Sequence, residues 1–202
     1  MDFNHTLAAF FVRPRRAAAA VARPERLAEG AVIYAAALAA GTLYYTALPK
    51  DLPKDFVEYF PYLAKDLPGP GFWFKMALVG TVFFAAEVAG LWAWVKALRG
   101  RAEFLSLLSL MCWIHVFYLF MFVGMQMGVW ARNAELAHLS ELTFTLWSLF
   151  AATVGLREIA GLNILKSFFS LLLSSLAVFL LLVGARQIGL LGPDELKILL
   201  LF

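Results

Sequence analysis

The chain has one cysteine, Cys112, in 202 residues. An intrachain disulfide is therefore excluded, and so is a CxxC redox centre. Charge is scarce as well: Asp, Glu, Lys and Arg make up 15% of the sequence, where an ordinary soluble domain has roughly a quarter. No P-loop, HExxH, GxSxG or paired-aspartate metal motif occurs, and no nucleophile stands with a base at a familiar spacing. That points away from an enzyme and gives no cofactor or metal to expect. A basic stripe with interleaved aromatics is also missing, so the net charge of +3 is no footprint for nucleic acid. The opening "MDFNHTLAAFFVRPRRAAAAVARPERLAEG" breaks its apolar run at Arg13 and continues with arginines and prolines. It does not read as a cleavable signal peptide.

What fills the sequence is apolar. Hydrophobic residues account for 62%, and the mean hydropathy is +0.78. Runs of about 20 residues recur, each long enough to cross a hydrocarbon core of roughly 30 Å. Five spans are expected, over 30–48, 72–95, 104–130, 142–160 and 163–185. The fold class is all-α, a polytopic membrane bundle of five transmembrane helices plus an N-terminal interfacial helix. Residues 1–29 form a cytoplasmic amphipathic segment in this reading, with Leu7, Phe10 and Phe11 facing lipid and Arg13, Arg15 and Arg16 facing anionic headgroups. Residues 30–190 form the membrane domain, and 191–202 a tail too short to cross, resting at the interface or against the bundle. The longest connection, 49–72, carries Phe56, Tyr59, Phe60 and Tyr62 beside Lys and Asp. It suggests a short amphipathic helix at the depth where aromatic residues collect.

Orientation follows the distribution of Lys and Arg over the loops. With the amino terminus inside, ten fall on the cytoplasmic side and seven outside, and the outer set is interleaved with acids such as Asp51, Asp55 and Glu141. The expected localisation is an integral membrane protein of a bacterial inner membrane, amino terminus cytoplasmic and carboxy terminus outside.

Inside the apolar runs a few polar residues stand out. Glu87, in "TVFFAAEVAGLWAW", lies 9 residues before Lys96, roughly 13 Å from the inner end of its span. A charge at that depth costs about 2.5–3.5 kcal/mol or more unless it is paired. His115, in "MCWIHVFY", lies 12 residues beyond Glu103 on the next span, roughly 18 Å above the same surface. A short loop joins the two spans, so an intramembrane Glu87–His115 pair is expected. It serves either as a buried bond that fixes helix register or as a proton relay or headgroup site.

Met111, Cys112, His115, Met121, Met125 and Met127 are soft or borderline metal ligands. They spread over roughly 24 Å of helix, too far for one site, and read as gap-filling core residues. Gly124 and Gly128, in "GMQMG", make a GxxxG pattern that permits close helix packing. Arg157, Glu158 and Lys166 sit in the turn between the last two spans, as paired surface charges or as an inner-surface interaction site.

That turn is also where the chain resembles a known family. "LWSLFAATVGLREIAGLNILKSFFSLLL" is similar to the Trp, Gly, Glu, then Lys-plus-small-residue pattern of the Yip (Ypt-interacting protein) domain membrane proteins, bacterial members included. "FFVRPRRAAAAVARPERLAEGAVIYAAAL" is similar to the prolines that precede the family's first span. The resemblance implies a five-span bundle with a cytoplasmic amino terminus and, in eukaryotic relatives, membrane trafficking and binding of Rab-type GTPases. For this chain it implies a membrane partner or organising subunit, partnered by lipid and by another protein or by its own copies through small-residue faces. The alternative is a small transporter, channel or lipid-moving protein that uses Glu87 and His115.

The topology has a direct check. In a Cys112→Ser background, a cysteine introduced at Phe60 should react with an impermeant thiol reagent added from outside the cell. Labelling at that site only from the cytoplasmic side would overturn the assignment.

Overall fold

The computed structural model describes residues 3–46, 48–49, 51–59, 70–192, 195–196 and 199. Helices α1 (Phe3–Val12) and α2 (Pro14–Val21) lead through a 3-10 turn (Pro24–Arg26) into α3 (Leu27–Thr46). A short α4 (Lys54–Tyr59) precedes α5 (Pro70–Ala97), and α6 (Phe104–Ile114) and α7 (Val116–Trp130) follow. Two long helices, α8 (Ala134–Ala160) and α9 (Ile164–Gln187), complete the bundle. Five segments are long and apolar enough to cross a membrane: Pro24–Tyr45, Gly71–Ala97, Phe104–Trp130, Ala134–Ala160 and Ile164–Gln187. No strand occurs among the described residues.

Local chemistry sets the helix ends. The Asn133 side chain accepts the Leu136 amide at 2.9 Å, and Asn163 accepts the Lys166 amide at 2.8 Å. These caps start α8 and α9 by satisfying first-turn donors that have no partner within the helix. Gly161, at φ +67°, ends α8 in a left-handed conformation that carries no steric cost for glycine. The first cap corrects a boundary. The fourth span starts at Ala134, two turns before the expected 142, because Glu135, His138 and Glu141 continue the helix beyond its apolar run.

The third span is the axis of the bundle. Its most apolar window is 61% buried, against 17–33% for the other four spans. It breaks at His115. There the amide donates to the Cys112 carbonyl at 3.2 Å, one residue short of the α-helical partner. The Met111 carbonyl, which a continuous helix would bond to that amide, lies 2.8 Å from His115 Nδ1. A carbonyl only accepts, so Nδ1 carries the hydrogen, and the imidazole takes the place of its own backbone donor.

The amino-terminal arm does more than lie on the interface: it packs into the bundle. Phe10, Ala17, Ala18 and Val21 are fully buried. Phe10 meets Trp113 at 6.1 Å and Phe117 edge-on at 6.1 Å. The buried Ser109 hydroxyl donates to the Val21 carbonyl at 2.6 Å, satisfying the end of α2. The Trp113 indole donates to the Arg26 carbonyl at 3.3 Å, and the Arg26 guanidinium lies 5.2 Å above its ring.

At the opposite face the tail folds back onto the bundle. Leu191, Leu196 and Leu199 are buried beside Tyr44, Trp73 and Leu182. Lys75 Nζ lies 2.6 Å from Glu195 Oε1, and this hydrogen bond holds the Glu195 carboxyl below the ordinary carboxylate range. In the 49–72 connection α4 buries Phe56, whereas Phe60 and Tyr62 lie outside the described residues.

Gly124 and Gly128 are used within the chain. A Cβ on Gly128 would sit 2.7 Å from the Ala137 amide nitrogen, and one on Gly124 would sit 2.6 Å from Ser140 Oγ. The small-residue face therefore seats α8 against α7, so it does not present an open surface to a second copy. Because backbone blocks the added methyl, Gly128→Ala should destabilise the protein by about 1–3 kcal/mol. Thermal unfolding in detergent would show this as a lowered midpoint, and an unchanged midpoint would contradict the close approach.

Candidate functional site

Five spans enclose a cavity of about 290 Å³. Two ends of the molecule locate it: an amino-terminal face carrying the 98–103 and 161–163 turns, and a carboxy-terminal face carrying α4 and the tail. Glu87, His115, Tyr34, Tyr118, Ser148 and Ser175 line its middle. Trp73, Met76, Phe122, Leu182 and Leu199 line the limb that reaches the carboxy-terminal face. Met111, Ala152 and Leu171 line the other end. From Trp73 to Glu87 the helix rises roughly 20 Å.

The polar middle is tightly bonded. Ser175 Oγ donates to Glu87 Oε1 at 2.7 Å. The Tyr34 hydroxyl donates to Thr81 Oγ1 at 3.2 Å, and Thr81 donates to the Ala77 carbonyl at 2.8 Å. Ser148 donates to the Thr145 carbonyl at 2.8 Å. The His115 ring is held by aromatic neighbours. Tyr34 and Phe84 meet it edge-on at 4.8 and 4.9 Å, and Tyr118 stacks on it at 5.2 Å.

The expected partner of Glu87 is corrected here. Its hydrogen bond runs to the fifth span at Ser175 and not to His115. Two physical causes combine. α5 lies along α9, where the site of a Cβ on Gly90 is 3.8 Å from Ser174 Cβ. Gly90, one turn from Glu87, thus faces α9. Meanwhile the break in the third span engages Nδ1 of His115 at the Met111 carbonyl. Both residues still line one cavity, about one helical turn apart in depth. Ser175 was legible to the same arithmetic: it stands 12 residues beyond Asn163, roughly 18 Å from the end of its span at the amino-terminal face. Tyr34, Tyr118 and Ser148 gave no such signal, because single hydroxyls in apolar runs are common packing residues.

The remaining sequence candidates lie elsewhere. Glu158 is ion-paired with Arg15 of the arm. Arg157 and Lys166 are exposed at the end of α8 and the start of α9, on the amino-terminal face. Gly124 and Gly128 lie at the α7–α8 contact described above.

These features define an α-helical membrane protein whose spans surround a cavity with a polar middle. The Yip1 domain model matches residues 8–185, and the chain belongs to that family. The match runs from the arm through the last span, so the packed arm is part of the domain. No curated protein and no solved structure gave a match.

The assignment of Glu87 to Ser175 predicts a pattern of coupling. In a double-mutant cycle, Glu87→Leu with Ser175→Ala should show an interaction on the order of 0.6 kcal/mol, at most about 1.7 kcal/mol. Glu87→Leu with His115→Phe should be additive to within about 0.5 kcal/mol. The reverse order, measured by thermal unfolding in detergent, would restore the His115 pairing.

Proposed function

We propose that this Yip1-family chain is a non-enzymatic membrane partner, an organising subunit that engages another protein at its amino-terminal face. The observation that supports this reading is the ordered basic platform on that face. The arm is anchored by buried apolar residues and by the Arg15–Glu158 ion pair, so its charges are held in fixed positions. Arg13, Arg16, Arg23, Arg99, Arg101, Arg157 and Lys166 are exposed there. Of the acids on the same face, Glu29 is bonded to Arg26 and Glu158 to Arg15, and Glu25 and Glu103 are exposed there as well. A fixed array of cations on one rigid face is complementary to an acidic protein surface or to anionic headgroups, and such complementarity sets orientation and partner choice. Arg157 and Lys166, with Glu158 fastening the arm through Arg15, are the residues we assign to this contact. The orientation that goes with the reading places this face in the cytoplasm.

A second reading, a small transporter or lipid-moving protein, is favoured by one observation: Glu87 and His115 both line the intramembrane cavity.

Photo-crosslinking from the amino-terminal face in native membranes, followed by purification, tests the first reading. A single partner should be recovered in fixed stoichiometry. The double variant Arg157→Glu, Lys166→Glu should reduce its yield at least tenfold while leaving the thermal midpoint unchanged. Equal recovery with the double variant, or crosslinks to lipid alone, would contradict the proposal.

A further inference from the structure

The cavity has an unusual balance of hydrogen-bonding groups. Among its donors, Ser175 is engaged with Glu87, Ser148 with a carbonyl, Tyr34 with Thr81, and Nδ1 of His115 with Met111. Its acceptors are in surplus. A carboxyl group has two oxygens and about four lone-pair sites, of which Ser175 uses one. With Nδ1 carrying the hydrogen, the neutral His115 ring also keeps Nε2 as an acceptor. No Lys or Arg occurs among the described residues that line the cavity. A phosphate or carboxylate entering here would meet a carboxyl group and π faces with no cation to balance it, in surroundings where an unbalanced charge is costly. A ligand that brings donors and a positive charge meets the opposite situation.

Shape narrows the class further. A cavity of about 290 Å³ that follows roughly 20 Å of helix is long for its volume and suits a slender apolar chain. The limb beyond the polar middle is apolar, walled by Trp73, Phe122, Leu182 and Leu199. An entrance is also present. Thr145 and Leu149 on α8 and Ser175 on α9 line the cavity and are exposed at the bundle surface, so the opening lies between the last two spans and faces laterally into the bilayer.

We infer that this cavity is a binding site for a lipophilic monocationic amine with a single apolar chain. The ammonium group lies against Glu87, and the chain runs along the limb toward Leu199. The ligand enters from the membrane between α8 and α9. The inference goes beyond the partner role, since the cavity and the basic platform share no residue.

The test uses the full chain in phosphatidylcholine nanodiscs at pH 7.4, where an alkylamine is protonated. Decylamine, decanol and decanoate are titrated separately, with the thermal midpoint as the readout. Decylamine should raise the wild-type midpoint saturably, and decanol should bind at least tenfold more weakly. Decanoate should give no saturable shift. Glu87→Gln retains an acceptor for the Ser175 hydroxyl, and it should weaken decylamine binding at least tenfold. Ala77→Leu keeps the carboxyl and narrows the limb, and it should weaken decylamine several-fold. Because it is independent of Glu87, it decides the matter if Glu87→Gln does not fold. Equal shifts from decylamine and decanol, unaffected by Glu87→Gln, would overturn the cation site and leave an apolar chain site. A preference for decanoate, or no saturable shift with decylamine, would overturn the inference altogether.

Discussion

The bundle depends on one helix being allowed to break in the middle of a membrane. Within the hydrocarbon layer an exposed backbone carbonyl has no water to bond, so a kink persists only where the protein itself supplies the missing donor. At the centre of the third span the His115 imidazole does this for the Met111 carbonyl. The ring that supplies the donor is clasped by Tyr34 of the first span and Phe84 of the second. Three spans are thereby tied at one depth. The half of the helix before the break faces the amino-terminal arm through Trp113 and Ser109. The half after it lies against the fourth span through Gly124 and Gly128.

The cavity follows from this arrangement. With the third span held at the axis, the second span meets the fifth at Gly90, and Glu87 finds a hydroxyl there. A single hydroxyl satisfies part of a carboxyl group and leaves the rest facing the space between the spans. Hydroxyls elsewhere in the bundle bond to carbonyls three or four residues earlier in their own helices, as Thr153 and Ser170 do. This habit keeps isolated hydroxyls satisfied in apolar surroundings. Glu87 has no equivalent route within its own helix, so its placement depends on the neighbouring span.

The five spans were legible because each is an apolar run of membrane length, and hydropathy registers little else. The arm's apolar face was also legible from Leu7, Phe10 and Phe11, but its burial was not. Burial depends on Phe10 meeting Trp113, a residue 103 positions away. The start of the fourth span was hidden by Glu135, His138 and Glu141, which interrupt the apolar run without interrupting the helix. Pairing Glu87 with His115 assumed that spans joined by a short loop bond to each other along their whole length. They converge on one cavity, and chain order says nothing about which side of the second span the fifth will cover. Gly124 and Gly128 lie where α7 approaches α8 closely. The short 131–133 turn makes the fourth span their partner.

The contact between the second and fifth spans therefore carries most of the account, and it has a geometric signature. The site of a Cβ on Gly90 is 3.8 Å from Ser174 Cβ, the mean separation of a disulfide-bonded pair. In a Cys112→Ser background, Gly90→Cys with Ser174→Cys should form an intrachain disulfide rapidly in native membranes under mild oxidation. The pair Glu87→Cys with His115→Cys should cross-link much more slowly. Rapid cross-linking of the second pair with none of the first would place the third span, not the fifth, against Glu87 and contradict the structure described here.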